Sequence, residues 1–227
     1  MFLPRQWLPV NGTVTIAATY GAGGSVIAPA VAVRLGLPFI ERAIPVEVAK
    51  KINASLEDQL ADDVEQTSRA DRLLDRILSS SGLFVGVPPT PEELGVEPDV
   101  EKTEAILRRV ADTTGGVILG RAGVFALKGR PGVLHVRLDG DVETRRRAAA
   151  ARRTIDYDSA SREQRMTDRA RLAYIEHFYP RAGAWNDPRH YHVVLDSTAL
   201  SLDTCIEVIV RSAQDLFSAS AASDGRT

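Results

Sequence analysis

Lysine is scarce in this sequence, and it is missing where it would matter most. Four lysines, at positions 50, 51, 102 and 128, stand against 24 arginines, and none lies near the glycine-rich stretch Thr19–Ser25. Cysteine is reduced to Cys205 alone, which excludes an internal disulfide framework and suits a reducing compartment. A formal net charge of −2 supplies no global basic field, so charge gives no support to nucleic-acid binding. No apolar run reaches the roughly 18–20 residues that a membrane helix needs. Pro4, Arg5 and Pro9 interrupt the apolar residues of Met1–Val10, which makes that stretch a poor secretion signal. The expectation is a soluble, cytoplasmic protein with no membrane or nucleic-acid partner. Its 227 residues suit one domain with a real core.

What is present alternates between two periods. Thr13–Ala18 (TVTIAA) reads as a β-branched strand, followed by a glycine-rich turn and the apolar stretch Val26–Leu35. Pro29 lacks an N–H, so the helix after the turn is expected to begin late, near Ile27. Further strands are read at Pro38–Ile40, Val117–Leu119, Val133–Leu138 and His192–Leu195. Helices are read at Val100–Ala111, with Ile106, Leu107 and Val110 on one face, at Val142–Arg153 and at Arg162–Tyr179. A closing helix, Leu202–Phe217, turns Cys205, Ile206, Ile209 and Val210 inward, and the polar tail Ser218–Thr227 is expected to fray. Leu56–Leu78 is partly helical in spacing, and the proline-rich Gly82–Pro98 reads as a loop. Strands separated by helices imply an α/β fold, a parallel sheet covered on both faces. Ligands collect at the carboxyl ends of such strands.

Charge is uneven. Glu41–Asp112 holds 16 acids and 9 bases, whereas Asp141–Arg171 holds 9 arginines and 6 acids. The arginines suit a polyanion such as a nucleotide phosphate tail. The first strand runs straight into Ala18-Thr19-Tyr20-Gly21-Ala22-Gly23-Gly24-Ser25, the strand–turn–helix context in which backbone N–H groups converge on an anion. Against G-x-x-x-x-G-K-[ST], Gly23, Gly24 and Ser25 fill the last three places. Gly24 replaces the lysine, Ala18 the first glycine, and Ser25 keeps the hydroxyl that meets Mg²⁺. A tight turn without a ligand is the bland alternative.

Three stretches in order resemble the cytidylate kinase-like family of P-loop kinases. They are Thr19–Arg42 (TYGAGGSVIAPAVAVRLGLPFIER), Val117–Leu127 (VILGRAGVFAL) and Asp168–Thr198, with its Asp-x-x-Arg and Trp-x-Asp-Pro. The resemblance runs from about Thr13 to Ile209. It implies a three-layer P-loop kinase fold with a five-stranded parallel sheet, a helical insertion over 53–115 and a lid over 145–165. Members characteristically lack the loop lysine. Many carry arginine at the position of Ser25 and near Ala18, which this chain does not. Ala122 and Gln164 also depart from the acid and the arginine of authentic cytidylate kinases.

The resemblance implies ATP and Mg²⁺ as cofactors and nucleotides as substrates. Tyr20, Gly21, Ala22, Gly23, Gly24 and Ser25 would hold the donor phosphates, with Ser25 at the metal. Arg145 borders the lid, and Arg152 and Arg153 lie on it as a clamp that arrives on closure. Arg121 would meet the acceptor phosphate, and Asp168 with Arg171 its sugar and phosphate. Helix spacing also permits a plain Asp168–Arg171 ion pair. Glu41 is a candidate for a ribose hydroxyl or the metal shell. Arg146 and Arg147 read as helix-surface charge, and His135 as a packed strand residue. His177, His190 and His192 have no partner at metal-ligand spacing. Trp185 and Tyr191 are expected to anchor structure, and Asp196-Ser197-Thr198 to border the adenine.

Three functions compete. The first is ATP-dependent phosphorylation of a nucleoside monophosphate, CMP or dCMP, or of another small phosphate acceptor in the same fold. The second is a nucleotide-binding regulatory protein of the same fold without turnover. The third is an interaction module using the acidic Glu41–Asp112 region. The segment 53–97 reads either as an acceptor-side subdomain or as an arm for a homodimer.

Overall fold

The computed structural model describes residues 12–40, 100–120 and 122–224. Glu41, Arg121 and the segment 53–97 lie outside them. Five parallel strands, β1 (Thr13–Ala18), β2 (Phe39–Ile40), β3 (Gly116–Leu119), β4 (Val133–Asp139) and β5 (Val193–Asp196), form one sheet in the order β2-β3-β1-β4-β5. β1 sits at the centre, pairing Ile16 with Leu119 on one side and with Val136 on the other. The chain builds β2 and β3 to one side of β1 and β4 and β5 to the other. The switch between sides therefore falls at the carboxyl end of β1, where the glycine-rich loop starts.

Six α-helices are described: α1 (Gly24–Leu35), α2 (Val100–Asp112), α3 (Gly123–Ala126), α4 (Val142–Arg153), α5 (Tyr157–Phe178) and α6 (Leu202–Asp224). Strand alternation divides the sheet's two faces. Val14, Ile16, Val117, Leu119, Val136 and Leu138 point to one face, where α1 and α6 cover them with Ile27, Val31, Ile209 and Phe217. Ile118 and Val133 point to the other, against Leu107 of α2, Ala126 of α3 and Leu127 just beyond it. Fully burying each such aliphatic contributes about 1.5–3 kcal/mol. Cys205, Ile206, Ile209 and Val210 all face inward, as the spacing indicates.

Local chemistry sets the helix ends. Asp141 accepts the Thr144 N–H at 2.8 Å to start α4, and Asp156 accepts the Ser159 N–H at 2.8 Å to start α5. Thr154, left-handed at φ 54°, ends α4.

Three sequence expectations are corrected. α1 begins at Gly24 rather than near Ile27 and carries Pro29 inside it, because Gly23 caps the helix and its carbonyl takes the Ile27 N–H. Proline there leaves only the Ser25 carbonyl without its i+4 donor. α6 continues through Ser218–Asp224, since alanine favours helix and the Ser218 and Ser220 hydroxyls donate to the Gln214 and Leu216 carbonyls. Ile106 does not share the buried face of Leu107; it is 60% exposed against 3% for Leu107.

Candidate functional site

The loop after β1 folds back on itself before α1. Gly21 and Gly23 take φ angles of 81° and 77°, a region that L side chains resist. Contact closes the same positions. A Cβ on Gly21 would lie 2.2 Å from the Arg145 carbonyl oxygen, and one on Gly24 would lie 2.7 Å from the Ala18 Cβ. The N–H groups of Gly23, Gly24 and Ser25 have no acceptor among the described residues. Free N–H groups at a helix N-terminus are the kind of donor set that an anion would meet. The exposed Ser25 begins its second helical position. Such a cradle fits a polyphosphate, and one hydroxyl beside it fits Mg²⁺, which keeps several waters and leans on phosphate oxygens.

A line of alternating charges underlies this loop. Arg137 pairs with Asp139 at 2.5 Å, Asp139 with Arg145 at 3.8 Å, Arg145 with Asp168 at 3.4 Å and Asp168 with Arg171 at 3.6 Å. Each member beyond Arg137 also holds the loop. Asp139 accepts the Thr19 hydroxyl at 3.0 Å, and Asp168 accepts the Tyr20 N–H at 3.0 Å. Arg145 donates to the Tyr20 carbonyl at 2.7 Å, and Arg171 to the Ala18 carbonyl at 2.7 Å. Burial pushes the Asp139 carboxyl up, but the hydrogen bond and charge of Arg137 outweigh it and leave its pKa below the usual carboxylate value. Arg145 is 4% exposed, and its Nε donates to the Gly140 carbonyl. Helix α5 thus brings Asp168 and Arg171 together, as their spacing indicates, and turns both toward the loop backbone.

Arg152 and Arg153 end α4 in different surroundings. Arg152 donates to the Gly21 carbonyl, and its Nη1 lies 3.7 Å from where a Cβ on Gly23 would sit. It has no carboxylate partner among the described residues, and burial pulls its pKa down. Arg153 pairs with the buried Glu163, which also accepts the Tyr20 hydroxyl at 2.6 Å. Burial first, then the Glu163 carboxylate, raises the Tyr20 phenol's pKa. Arg147 is surface charge, 73% exposed beside Glu143. Arg146 is not: it is 22% exposed and donates to the Gln164 side chain, a correction that follows from the close packing of α4 on α5.

On the second sheet face, polar residues replace aliphatics. His135 is packed, as its strand setting suggests; the Thr15 hydroxyl lies 2.7 Å from its Nδ1 and the His192 ring stacks on it at 5.2 Å. The Arg137 guanidinium lies 4.5 Å from the Trp185 ring centroid, and the Tyr191 hydroxyl donates to the Trp185 carbonyl, so both aromatics do anchor structure. Ser197 donates to the Ala22 carbonyl at 2.8 Å and ties the end of β5 to the loop. No cluster of metal-ligating side chains occurs among the described residues. No described helix is long and apolar enough to cross a membrane.

Sequence reading missed Arg137, Asp139 and Glu163. The position of Asp139 at the carboxyl end of a strand was a usable signal. Glu163 offered none, because an acid in a polar helix reads as solvated surface. Arg121 and Glu41 lie outside the described residues, as does the 53–97 segment.

No curated protein matches the chain in sequence. Among solved structures, an uncharacterized protein from Eubacterium ventriosum ATCC 27560 superposes with a TM-score of 0.60 at 17% identity, covering 89% of this chain and 98% of its own. A gluconokinase from Sinorhizobium meliloti 1021 gives 0.49 at 16% identity, covering 93% and 96%. A sugar kinase from Janibacter sp. HTCC2649 gives 0.48 at 18% identity, covering 90% and 95%. These likenesses concern the fold. Residues 13–199 match the cytidylate kinase-like family, and with the strand order and lysine-free loop described above, the chain belongs to that family.

Proposed function

We propose that the protein transfers the terminal phosphoryl group of ATP to a nucleoside monophosphate, with CMP and dCMP as the first acceptors to test. The observation that carries the reading is Arg152, a guanidinium without a carboxylate partner among the described residues, held over Gly21–Gly23. Phosphoryl transfer asks a protein mainly for positioning and positive charge around the moving group. Gly23, Gly24 and Ser25 supply N–H donors, and Ser25 would hold Mg²⁺, which supplies charge neutralisation when bound. Arg152 brings the cation that a loop lysine would otherwise bring. Arg145, Asp168 and Arg171 hold the loop's other backbone groups still, so little reorganisation is needed as charge develops. The acceptor would approach from the α5 side, where Asp168 and Arg171 lie, with Arg121 proposed at its phosphate. The α4–α5 region is proposed to act as the lid.

Nucleotide binding without turnover is the second reading. Its support is Asp168, whose carboxylate takes the Tyr20 N–H and two arginines, groups that a phosphate would otherwise engage. A coupled assay with ATP, Mg²⁺ and a panel of monophosphates separates the two. Release of ADP above background with CMP or dCMP is expected. Failure of every acceptor, with ATP still binding in calorimetry, would favour the second reading.

A further inference from the structure

Glu163 is the charged group whose burial neither reading explains. It lies on α5 at 2% exposure, and its Oε1 has no hydrogen-bond partner among the described residues. A buried carboxylate is strongly unfavourable unless paired, and an apolar side chain of similar volume would fill such a place without that cost. Glu163 uses its other oxygen for two partners, the Tyr20 hydroxyl and the Arg153 guanidinium. One atom therefore joins the phosphate loop, the last residue of α4 and the body of α5.

The local geometry gives this junction leverage on Arg152. Thr154 ends α4 in the left-handed region, directly after Arg153, and α5 starts at Tyr157. Successive helical residues point about 100° apart, so fixing Arg153 against α5 aims Arg152 at the loop. The Arg152 donor does reach the Gly21 carbonyl. Glu163 itself contacts neither the Gly23–Ser25 donors nor the Ser25 hydroxyl, so a direct chemical role has no support.

We infer that Glu163 is a positioning residue: by holding Arg153 and Tyr20 together it fixes the end of α4 so that Arg152 meets phosphates bound at Gly21–Gly23. The inference rests on the phosphate-binding reading of the loop. It predicts that Glu163 acts on nucleotide affinity through Arg152, and not as general support for the fold.

A double-mutant cycle on the full chain tests this, with calorimetric titration of ATP in Mg²⁺ as the readout and thermal melting as the folding check. In the wild-type background, Glu163→Ala should weaken ATP binding by about five- to tenfold. In the Arg152→Ala background the same change should weaken it by less than about twofold. Equal losses in the two backgrounds, or no loss in the wild type, would overturn the inference. If Glu163→Ala does not fold, Glu163→Gln replaces it, keeping the shape and removing the charge, with the same two outcomes. Wild-type protein that binds no ATP would instead sink the phosphate-loop reading, a result distinct from an additive cycle.

Discussion

Ala18 and Gly24 face each other across the loop, and their approach decides where positive charge at this site comes from. A Cβ on Gly24 would lie 2.7 Å from that of Ala18 and 3.2 Å from the Leu119 Cδ1. The Ala18 Cβ is fixed to the backbone of the central strand, which gives little. The missing lysine is thus built into the packing of β1 on α1, and a single substitution would not restore it. Gly24→Ala should destabilise the protein by about 1–3 kcal/mol, the usual cost of overpacking. Ala18→Gly in the same chain should recover most of that loss, because only the flexible end of Leu119 then remains close. Thermal melting of the single and double variants checks this; a double variant no more stable than Gly24→Ala would contradict the contact. The loop itself was legible, since a β-branched strand, three glycines and an apolar helix stand in order. Its exclusion of lysine was not, because Ala18 and Gly24 meet only after the turn closes.

Among elements, the β4–β5 edge holds a pair of imidazoles with a pH signature. The His135 N–H donates to the His192 Nδ1 at 2.9 Å, and the His192 N–H donates to the His135 carbonyl at 2.8 Å. A side chain thereby extends the ladder one residue before β5 begins. Burial, and then the charge of His192, lowers the His135 pKa from 6.5 to about 4. A folded value below the unfolded one means that the unfolded chain binds the proton more readily in that interval. Stability should be full above the unfolded value of 6.5 and fall as pH drops toward about 4, by at most about 3 kcal/mol. Thermal melts across that range should show the decline, and His135→Asn should flatten it. An unchanged slope in that variant would contradict the assignment. Strand and helix positions were readable from period and β-branching, as Thr13–Ala18 and Val142–Arg153 illustrate. The start of α1 and the end of α6 were not, because Gly23's left-handed cap and the serine-to-carbonyl bonds override what proline and polar composition suggest.

Over the whole molecule, the site joins segments far apart in sequence. Tyr20 reaches Glu163 across 143 residues and Asp168 across 148, and Thr19 reaches Asp139 across 120. Such pairings carry no local spacing, which is why the links from the loop to Asp139 and Glu163 could not be read from the sequence while the pairing of Asp168 with Arg171, on one helix, could. The arginine-rich composition acquires a location here. One set of guanidiniums, on Arg137, Arg145 and Arg171, is neutralised by carboxylates beneath the loop, while Arg152 is left above it. That division is the basis for proposing phosphoryl transfer at a loop without lysine. The most direct test is the initial rate of ADP formation from ATP, Mg²⁺ and CMP or dCMP by wild type and Arg152→Ala. The account predicts turnover by the wild type and a rate about 100-fold lower or worse in the variant, the scale of losing one preorganised donor; equal rates in the two proteins would contradict it.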